Sequence, residues 1–226
     1  MKSIVLLSGG LDSTVAMAAA LQGSQISLAL TFDYGQRAAK REAAAAAALA
    51  GHYNLKHRII PVDFLAEITT TALINRAEGV PELTVDKLDD SHITRETAAK
   101  VWVPNRNGVF INMAAAFAEA LDCEQVIVGF NAEEGATFPD NTPAYMGAVN
   151  QALSYSTQNG VKVNSPTVDL AKPALVALGR KLNVPFHLIW SCYHGGEYMC
   201  GRCESCLRLK RALQKEGLSE TVKFLQ

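Results

Sequence analysis

The sequence predicts an α/β fold: a doubly wound, parallel five-stranded sheet followed by a small cysteine-rich C-terminal appendage. Short apolar segments alternate with longer helical ones, which is typical of a parallel sheet covered by helices. The apolar segments are continuous, without polar alternation, as expected for strands that are buried on both faces. Four of the five cysteines lie within residues 192–206, after this alternation ends.

Each element follows from the same alternation. Apolar runs predict strands at 3–7, 26–32, 57–62, 125–129 and 162–165. Helical stretches are predicted at 12–22, 36–50, 108–121, 143–158 and 171–182. The alanine-rich stretch 42–50 favours a closely packed helix, because alanine is the best helix former. We expect residues 75–105, which include Pro81 and Pro104, to be irregular, as in a lid or binding segment.

The length of the chain suggests how it divides into domains, and its charge limits the partners that it can bind. The 226 residues, 49% of them hydrophobic, suit a main domain at 1–185 and a smaller segment at 186–226. Residues 1–113 carry 11 basic and 11 acidic side chains, and residues 114–226 carry 10 and 11. This balance argues against a large nucleic-acid footprint.

No feature of the sequence indicates a membrane or secreted protein. No apolar stretch reaches the roughly 20 residues that a membrane span needs. Met1 leads almost directly into the first strand, without a signal peptide. We therefore expect a cytoplasmic protein that has no membrane partner.

The segment SGGLDST at 8–14 joins the first predicted strand to the first predicted helix. Gly9 and Gly10 can adopt backbone angles closed to other residues, and they let a ligand approach the main chain. The helix directs its unpaired N–H groups to the same place. Ligands of open parallel sheets bind beyond the carboxyl ends of the strands. The junction therefore predicts an anion site, most naturally for phosphate.

Asp12 is the unusual member of this junction, because a bare carboxylate would repel phosphate. Its presence is explained if it holds Mg²⁺ that bridges to phosphate oxygens. The two familiar phosphate-loop patterns, G-x-x-x-x-G-K-[ST] and G-x-G-x-x-G, do not describe the segment. The plain alternative is an ordinary strand–turn–helix with a capped start.

The cysteines form the pattern C-x₇-C-x₂-C-x₂-C, with ligand candidates Cys192, Cys200, Cys203 and Cys206. In a reducing cytosol such a cluster is more often a metal site than a set of disulfides. Four thiolates around Zn²⁺ make a closed tetrahedral site, which would fold the appendage and perform no chemistry. An iron–sulfur cluster and unligated thiols are the alternatives.

The motif S-G-G-L-D-S resembles the pyrophosphate-loop signature of the N-type ATP pyrophosphatases, whose fold is adenine nucleotide alpha hydrolase-like. The resemblance implies that ATP binds to the segment 7–17. That segment consists of Leu7, Ser8, Gly9, Gly10, Leu11, Asp12, Ser13, Thr14, Val15, Ala16 and Met17.

Several segments in order resemble one family, the 7-cyano-7-deazaguanine synthases of the queuosine pathway. They are FDYGQR at 32–37, VPNRN at 103–107, FPD at 138–140, SP at 165–166 followed by Lys172, and WSCY…CGRCESCLR from 190. The chain departs from the family pattern at Ala38, Asn141 and Thr142, where the family often has His, Cys and Arg. These changes fall on an expected substrate loop and leave ATP activation untouched.

The resemblance implies conversion of 7-carboxy-7-deazaguanine to its nitrile, with free ammonia and ATP, by a C–N ligase. Oxide is too poor a leaving group to be displaced from a carboxylate, so adenylation makes AMP the leaving group instead. Ammonia then gives an amide, whose oxygen must be activated again before elimination yields C≡N. The implied cofactors are Mg²⁺ and Zn²⁺.

Roles for the remaining residues follow from this chemistry as hypotheses. Asp12, Arg106 and Lys172 are the catalytic candidates, because positive charge stabilises a developing pyrophosphate. For the substrate we expect a carboxylate that accepts from the N–H groups of the deazaguanine. The substrate candidates are Arg37, Asn107, Glu133, Glu134 and Asp140.

Three other functions fit parts of the pattern. A tRNA-modifying enzyme that thiolates or amidates a base shares the loop but should carry a basic surface. A zinc-ribbon module could keep an ATP fold for regulation alone, and a related ligase could join the activated acid to another amine. The resemblance also implies a homodimer, with residues 206–226 as a candidate helix against the partner.

Overall fold

The computed structural model describes residues 1–225, and its strands form one parallel five-stranded sheet. The strands are β1 (Lys2–Leu6), β2 (Gln25–Asp33), β3 (His57–Pro61), β4 (Gln125–Ile127) and β5 (Lys162–Asn164). Their order across the sheet is β3-β2-β1-β4-β5, and every pairing is parallel. The predicted fold class is confirmed, with strand ends shifted by one or two residues.

Helices cover both faces of this sheet. They are α1 (Leu11–Ala20), α2 (Ala39–His52), α3 (Phe64–Glu67), α4 (Ser91–Val101), α5 (Arg106–Ala120), α6 (Ala132–Gly135), α7 (Pro143–Ser156), α8 (Lys172–Lys181) and α9 (Glu204–Lys215). The five predicted helices correspond to α1, α2, α5, α7 and α8. No helix among residues 1–225 is long and apolar enough to cross a bilayer.

Neighbouring residues of one strand belong to two separate hydrophobic cores. Val5 and Ile127 belong to the core formed with α1, α8 and α9, whereas Ile4 and Val126 belong to the core formed with α5. All four side chains are at most 1% exposed. Burial on both faces explains why the strands lack polar alternation.

The prediction that residues 75–105 are irregular is wrong for part of that segment. Ser91–Val101 form α4, and the Asp90 carboxylate caps it by accepting from the backbone N–H groups of His92 and Ile93. Asp90 is a helix start signal, because a side-chain oxygen there satisfies orphan N–H groups.

The C-terminal helix is shorter than the predicted 206–226. It ends at Lys215, and Gly217 follows with a positive φ of 68°, while position 226 lies outside the described residues. Its apolar side chains are buried inside the chain at Leu207, Leu209, Ala212 and Leu213. That face is therefore not available to a partner, and the homodimer stays a prediction.

Candidate active site

A cavity of about 300 Å³ lies beyond the carboxyl ends of β1 and β4. We call it the strand-end cavity. The chain turns in different directions after these two neighbouring strands, which is the position where open α/β sheets bind ligands. From the segment 7–17, the cavity is lined by Leu7, Ser8, Gly10, Leu11, Asp12 and Ser13. Thr14, Val15, Ala16 and Met17 are buried behind it.

Hydroxyl groups hold the turn between β1 and α1. Ser8 Oγ lies 3.0 Å from Ser13 Oγ, and the Ser8 backbone N–H donates to Ser13 Oγ at 3.2 Å. The Thr14 hydroxyl donates to the Gly10 carbonyl at 2.6 Å. Gly10 caps α1 without a side-chain hydrogen bond. The first N–H groups of the helix are therefore left for a ligand in the cavity.

Two glycines allow close backbone contacts around this turn. Gly9 has a φ of +80°, and a Cβ there would lie 2.8 Å from the Glu42 carbonyl oxygen of α2. A Cβ on Gly129, just after β4, would lie 2.6 Å from the backbone nitrogen of Ser13. Larger residues would separate the elements that form the cavity.

Lys172, the first residue of α8, places its ammonium between two carboxylates. Its Nζ lies 2.9 Å from Asp12 Oδ2 and 2.9 Å from Glu134 Oε1. All three residues line the cavity. The second oxygen of Asp12, Oδ1, is buried and has no hydrogen-bond partner. A buried, unpaired carboxylate oxygen beside a phosphate-type loop is the donor chemistry that a divalent cation needs.

The environment shifts the pKa values of these groups. Burial raises the pKa of the Asp12 carboxyl, with the attraction of Lys172 opposing it. Burial alone would lower the pKa of Lys172, but the charges of Asp12 and Glu134 outweigh it and raise that pKa. For Glu134, burial acts upward and Lys172 acts downward, and the pKa is lowered. Lys172 therefore keeps its positive charge through the neutral range.

Arg106 and aromatic rings form the opposite side of the cavity. Arg106 starts α5, and its Nη1 donates to the Tyr34 hydroxyl at 3.2 Å. Phe110, one turn further along α5, stacks on Phe32 with ring centroids 4.2 Å apart. Asn107 lines the same side. The arrangement gives a guanidinium next to a flat apolar wall, which suits a ring with an anionic substituent.

The five predicted substrate residues do not all lie on the cavity. Asn107 and Glu134 line it. Arg37 instead donates from Nη2 to the backbone carbonyls of Asn75 and Glu78. These hydrogen bonds stabilise the loop that contains both residues. Both oxygens of Glu133 are used elsewhere in the chain.

Asp140 lies at the edge of the site, beside Arg106. It accepts from Asn141 Nδ2 at 3.1 Å. Burial raises the pKa of its carboxyl, and the Arg106 charge opposes that rise. Its neighbours Phe138 and Asn141 do line the cavity.

The four predicted metal ligands converge. The sulfur atoms of Cys192, Cys200, Cys203 and Cys206 all lie within 4.8 Å of one another, and those of Cys200 and Cys206 are 3.9 Å apart. A tetrahedral zinc site with bonds of about 2.3 Å places its sulfurs about 3.8 Å apart. Backbone N–H groups of Cys200 and Cys203 donate to neighbouring sulfurs at 3.3 and 3.2 Å. The cluster could bind a metal.

The cysteine segment also forms one wall of the strand-end cavity. Trp190, Ser191 and Tyr193 line it, and the Trp190 backbone N–H donates to the Gly9 carbonyl at 2.8 Å. Neither Trp190 nor Tyr193 is among the site residues predicted from the sequence. Their nearness to Cys192 in the sequence was the signal, because a cysteine cluster that lies near the sheet brings its sequence neighbours there.

The fold and site define an α/β protein of the nucleotide-binding type, with a four-cysteine cluster that could bind a metal packed beside its cavity. A family model described as Queuosine biosynthesis protein QueC matches residues 2–217, and the chain belongs to that family. It is 59% identical over 218 residues to the 7-cyano-7-deazaguanine synthase of Pelotomaculum thermopropionicum, covering 96% of this chain and 99% of that protein.

Other similar proteins cover the whole chain. The 7-cyano-7-deazaguanine synthase of Desulforamulus reducens is 54% identical over 225 residues, covering 100% of this chain and 99% of that protein. Among solved structures, NMN synthetase from Francisella tularensis is 18% identical, with a TM-score of 0.46, over 99% of this chain and 88% of that one.

Proposed function

We propose that this chain is an ATP-dependent C–N ligase that converts 7-carboxy-7-deazaguanine and ammonia into 7-cyano-7-deazaguanine. One structural observation carries the proposal: a single cavity joins the glycine turn after β1 to Arg106 and Lys172. Full-length relatives with the synthase name support the choice of substrate.

ATP occupies the β1 side of the cavity in this proposal. The free N–H groups at the start of α1 and the hydroxyls of Ser8 and Ser13 bind its phosphates. The close packing at Gly9 and Gly129 supports this position, because it holds α2 and the end of β4 against the turn that carries these donors. Asp12 Oδ1, which is buried without a hydrogen-bond partner, would hold Mg²⁺, and the ion would supply positive charge that neutralises the phosphates.

Arg106 and Lys172 stabilise the charge that develops as pyrophosphate leaves. Lys172 is already held by two carboxylates, so its ammonium needs little reorganisation during the reaction. Arg106 faces it from the start of α5. Asn107 and Glu134 contact the deazapurine, with Asp140 at the edge of the same site.

The same site acts twice. The substrate carboxylate attacks the α-phosphorus of ATP and releases pyrophosphate, and ammonia then displaces AMP to give the amide. The amide oxygen attacks a second α-phosphorus, and loss of the second AMP and of protons gives the nitrile. Each AMP carries away one oxygen of the original carboxylate, so atoms balance at two ATP per nitrile.

The cysteine cluster serves structure in this proposal. Its four sulfurs would hold Zn²⁺, which when bound closes the segment that carries Trp190 and Tyr193. Four reduced thiols are consistent with a reaction in the cytoplasm. The near-balanced charge of both chain halves supports small-molecule substrates and no nucleic-acid partner.

The test is to incubate the purified protein with 7-carboxy-7-deazaguanine, ATP, Mg²⁺ and ammonium and to identify products by mass spectrometry. We expect the amide to appear first and the nitrile to follow, with no stimulation by tRNA. Asp12→Asn should form neither product. A conjugate with another amine, or product formed only on tRNA, would contradict the proposal.

A further inference from the structure

Glu133 turns its carboxylate away from the strand-end cavity and joins two helices. Its Oε1 accepts from Arg208 Nη1 at 2.6 Å and from Arg211 Nη2 at 3.0 Å, both on α9. Its Oε2 accepts from the backbone N–H of Lys172 at 3.3 Å. One carboxylate therefore links the helix that carries Cys206 to the first residue of α8.

The contact with Lys172 falls on a helix end that has no cap of its own. Ala171 precedes α8 and provides no side-chain acceptor. The Glu133 carboxylate supplies the missing acceptor and a negative charge at the positive end of the helix. Glu134, the next residue, binds the Lys172 ammonium. Two adjacent glutamates thus hold the backbone and the side chain of the same lysine.

Arg208 is the better fixed of the two arginines. Its side chain is 10% exposed, and it also donates to Glu204 Oε1 at 2.8 Å and to the Leu88 carbonyl at 3.2 Å. Arg211 divides its guanidinium between Glu133 and Asp89, whose side chain is 79% exposed. The guanidinium of Arg208 is therefore anchored on three sides.

Arg208 also neutralises the Glu133 carboxylate, whose negative charge would otherwise disturb the ion pairs of Lys172. Asp12 and Glu134 bind the Lys172 ammonium, and the Glu133 carboxylate lies at the backbone N–H of the same residue. Without Arg208, Oε1 would keep only Arg211, which is shared with the exposed Asp89. The Glu133 carboxylate would be freer to compete with Asp12 and Glu134 for Lys172. Glu133 would then no longer hold the start of α8 in one place.

We propose that Arg208 is a positioning residue for Lys172: through Glu133 it fixes where the Lys172 ammonium meets Asp12 and Glu134. The inference rests on the proposed function only for the catalytic role of Lys172. It predicts that a change on the cysteine-bearing helix alters the chemistry of the cavity without touching a substrate.

The first measurement needs no substrate. The zinc-loaded full chain and its Arg208→Gln variant are treated with acetic anhydride, and acetylation of Lys172 is followed by peptide mass spectrometry. We expect Lys172 to react about tenfold faster in the variant, because its ion pairs loosen. Arg202→Gln, which removes an exposed pair with Glu82, should leave the rate unchanged. An unchanged Lys172 rate in Arg208→Gln would overturn the proposal.

The second measurement is pyrophosphate release. Arg208→Gln should lower kcat about tenfold or more, with the KM for ATP changed less than about threefold, because the glycine turn still holds the phosphates. In a Lys172→Met background the same change should add less than about twofold. Losses that multiply would mean that Arg208 acts independently of Lys172.

Arg208→Lys is the conservative variant and the substitute if Arg208→Gln does not fold. It keeps a charge opposite Glu133 and should recover part of kcat and slow the acetylation of Lys172. An Arg208→Lys variant that does not differ from a folded Arg208→Gln variant in either readout would contradict the role. If the wild type makes no nitrile, the acetylation result still decides the positioning claim, so the two failures are distinguishable.

Discussion

The Lys172 ammonium lies 2.9 Å from a carboxylate oxygen of Asp12, although 160 positions separate the two residues in the chain. The contact joins the first turn of α1 to the first residue of α8. It brings a fixed positive charge to the turn where the proposed phosphates bind. A second carboxylate, that of Glu134, holds the same ammonium at 2.9 Å.

Removing that charge should stop the chemistry. Lys172→Met keeps the length of the side chain and removes the ammonium, so the charge on departing pyrophosphate loses a preorganised partner. We expect pyrophosphate release to fall about 100-fold or more. The matched control is Lys181→Met at the exposed end of the same helix, which should retain wild-type kcat. Equal activity of the two variants would remove Lys172 from the mechanism.

The ionised Asp12 carboxylate, which the proposed reaction needs, should lower the free energy of unfolding at neutral pH. Its folded-state pKa is raised above 3.8, so its favourable contribution exists below pH 3.8 and is lost as the pH rises through the folded-state value. Without nucleotide, Asp12→Asn should therefore melt at a higher temperature than the wild type at pH 7.5. The gain should shrink as the pH falls through the folded-state pKa.

The check is a set of melting curves from pH 8 to pH 5, with zinc content measured at each pH. Asp169→Asn, at an exposed position, is the control and should show no gain. A gain for Asp12→Asn that grows toward low pH would have the opposite sign to the one expected.

Local sequence signals were sufficient to predict the sheet and the glycine-containing turn between β1 and α1. Continuous apolar runs such as 125–129 indicate strands buried on both faces, and the Ser8–Thr14 junction combines glycines with a helix start. The spacing of the four cysteines was also sufficient to predict that they cluster, because they are close to one another in the chain. These features depend on residues that are close in the chain.

Side-chain contacts between residues that are distant in the chain could not be predicted in the same way. Nothing in the local sequence distinguishes Glu133 from Glu134, yet one faces Arg208 and the other faces Lys172. Arg37 was expected to contact substrate because it belongs to the FDYGQR segment that resembles the family, but its guanidinium holds the loop at Asn75. Which neighbour a charged side chain reaches depends on helix packing that the sequence pattern does not specify.

Gly129 tests whether β4 and α1 must touch. A Cβ there would meet the Ser13 backbone at 2.6 and 2.7 Å, and backbone atoms cannot move aside individually. Gly129→Ala should destabilise the fold by about 1–3 kcal/mol and weaken ATP binding strongly, as measured by calorimetry. Gly147→Ala in α7 has nothing within 4 Å and should gain about 0.5–1 kcal/mol with normal ATP binding. Normal ATP affinity in Gly129→Ala would mean that this contact does not shape the site.

The cysteine cluster should control the cavity as well as its own segment. Cys203→Ser removes one of four converging sulfurs, so we expect loss of bound metal and a Tm lower by about 10 °C or more. ATP affinity should fall too, because Trp190 and Tyr193 line the cavity. Cys123→Ala, at a buried site away from the cluster, should keep the metal and lose about 1–2 kcal/mol. Full metal content in Cys203→Ser, measured by mass spectrometry, would exclude a four-sulfur site.

The most direct test of the central claim is the fate of the carboxylate oxygens. 7-Carboxy-7-deazaguanine labelled with ¹⁸O at both carboxyl oxygens is converted with unlabelled ATP and ammonium, and the nucleotide products are analysed by mass spectrometry. Attack of each substrate oxygen on an α-phosphorus predicts two AMP per nitrile, each with one ¹⁸O, and unlabelled pyrophosphate. Label in pyrophosphate or inorganic phosphate, or nitrile formed without AMP, would contradict the account.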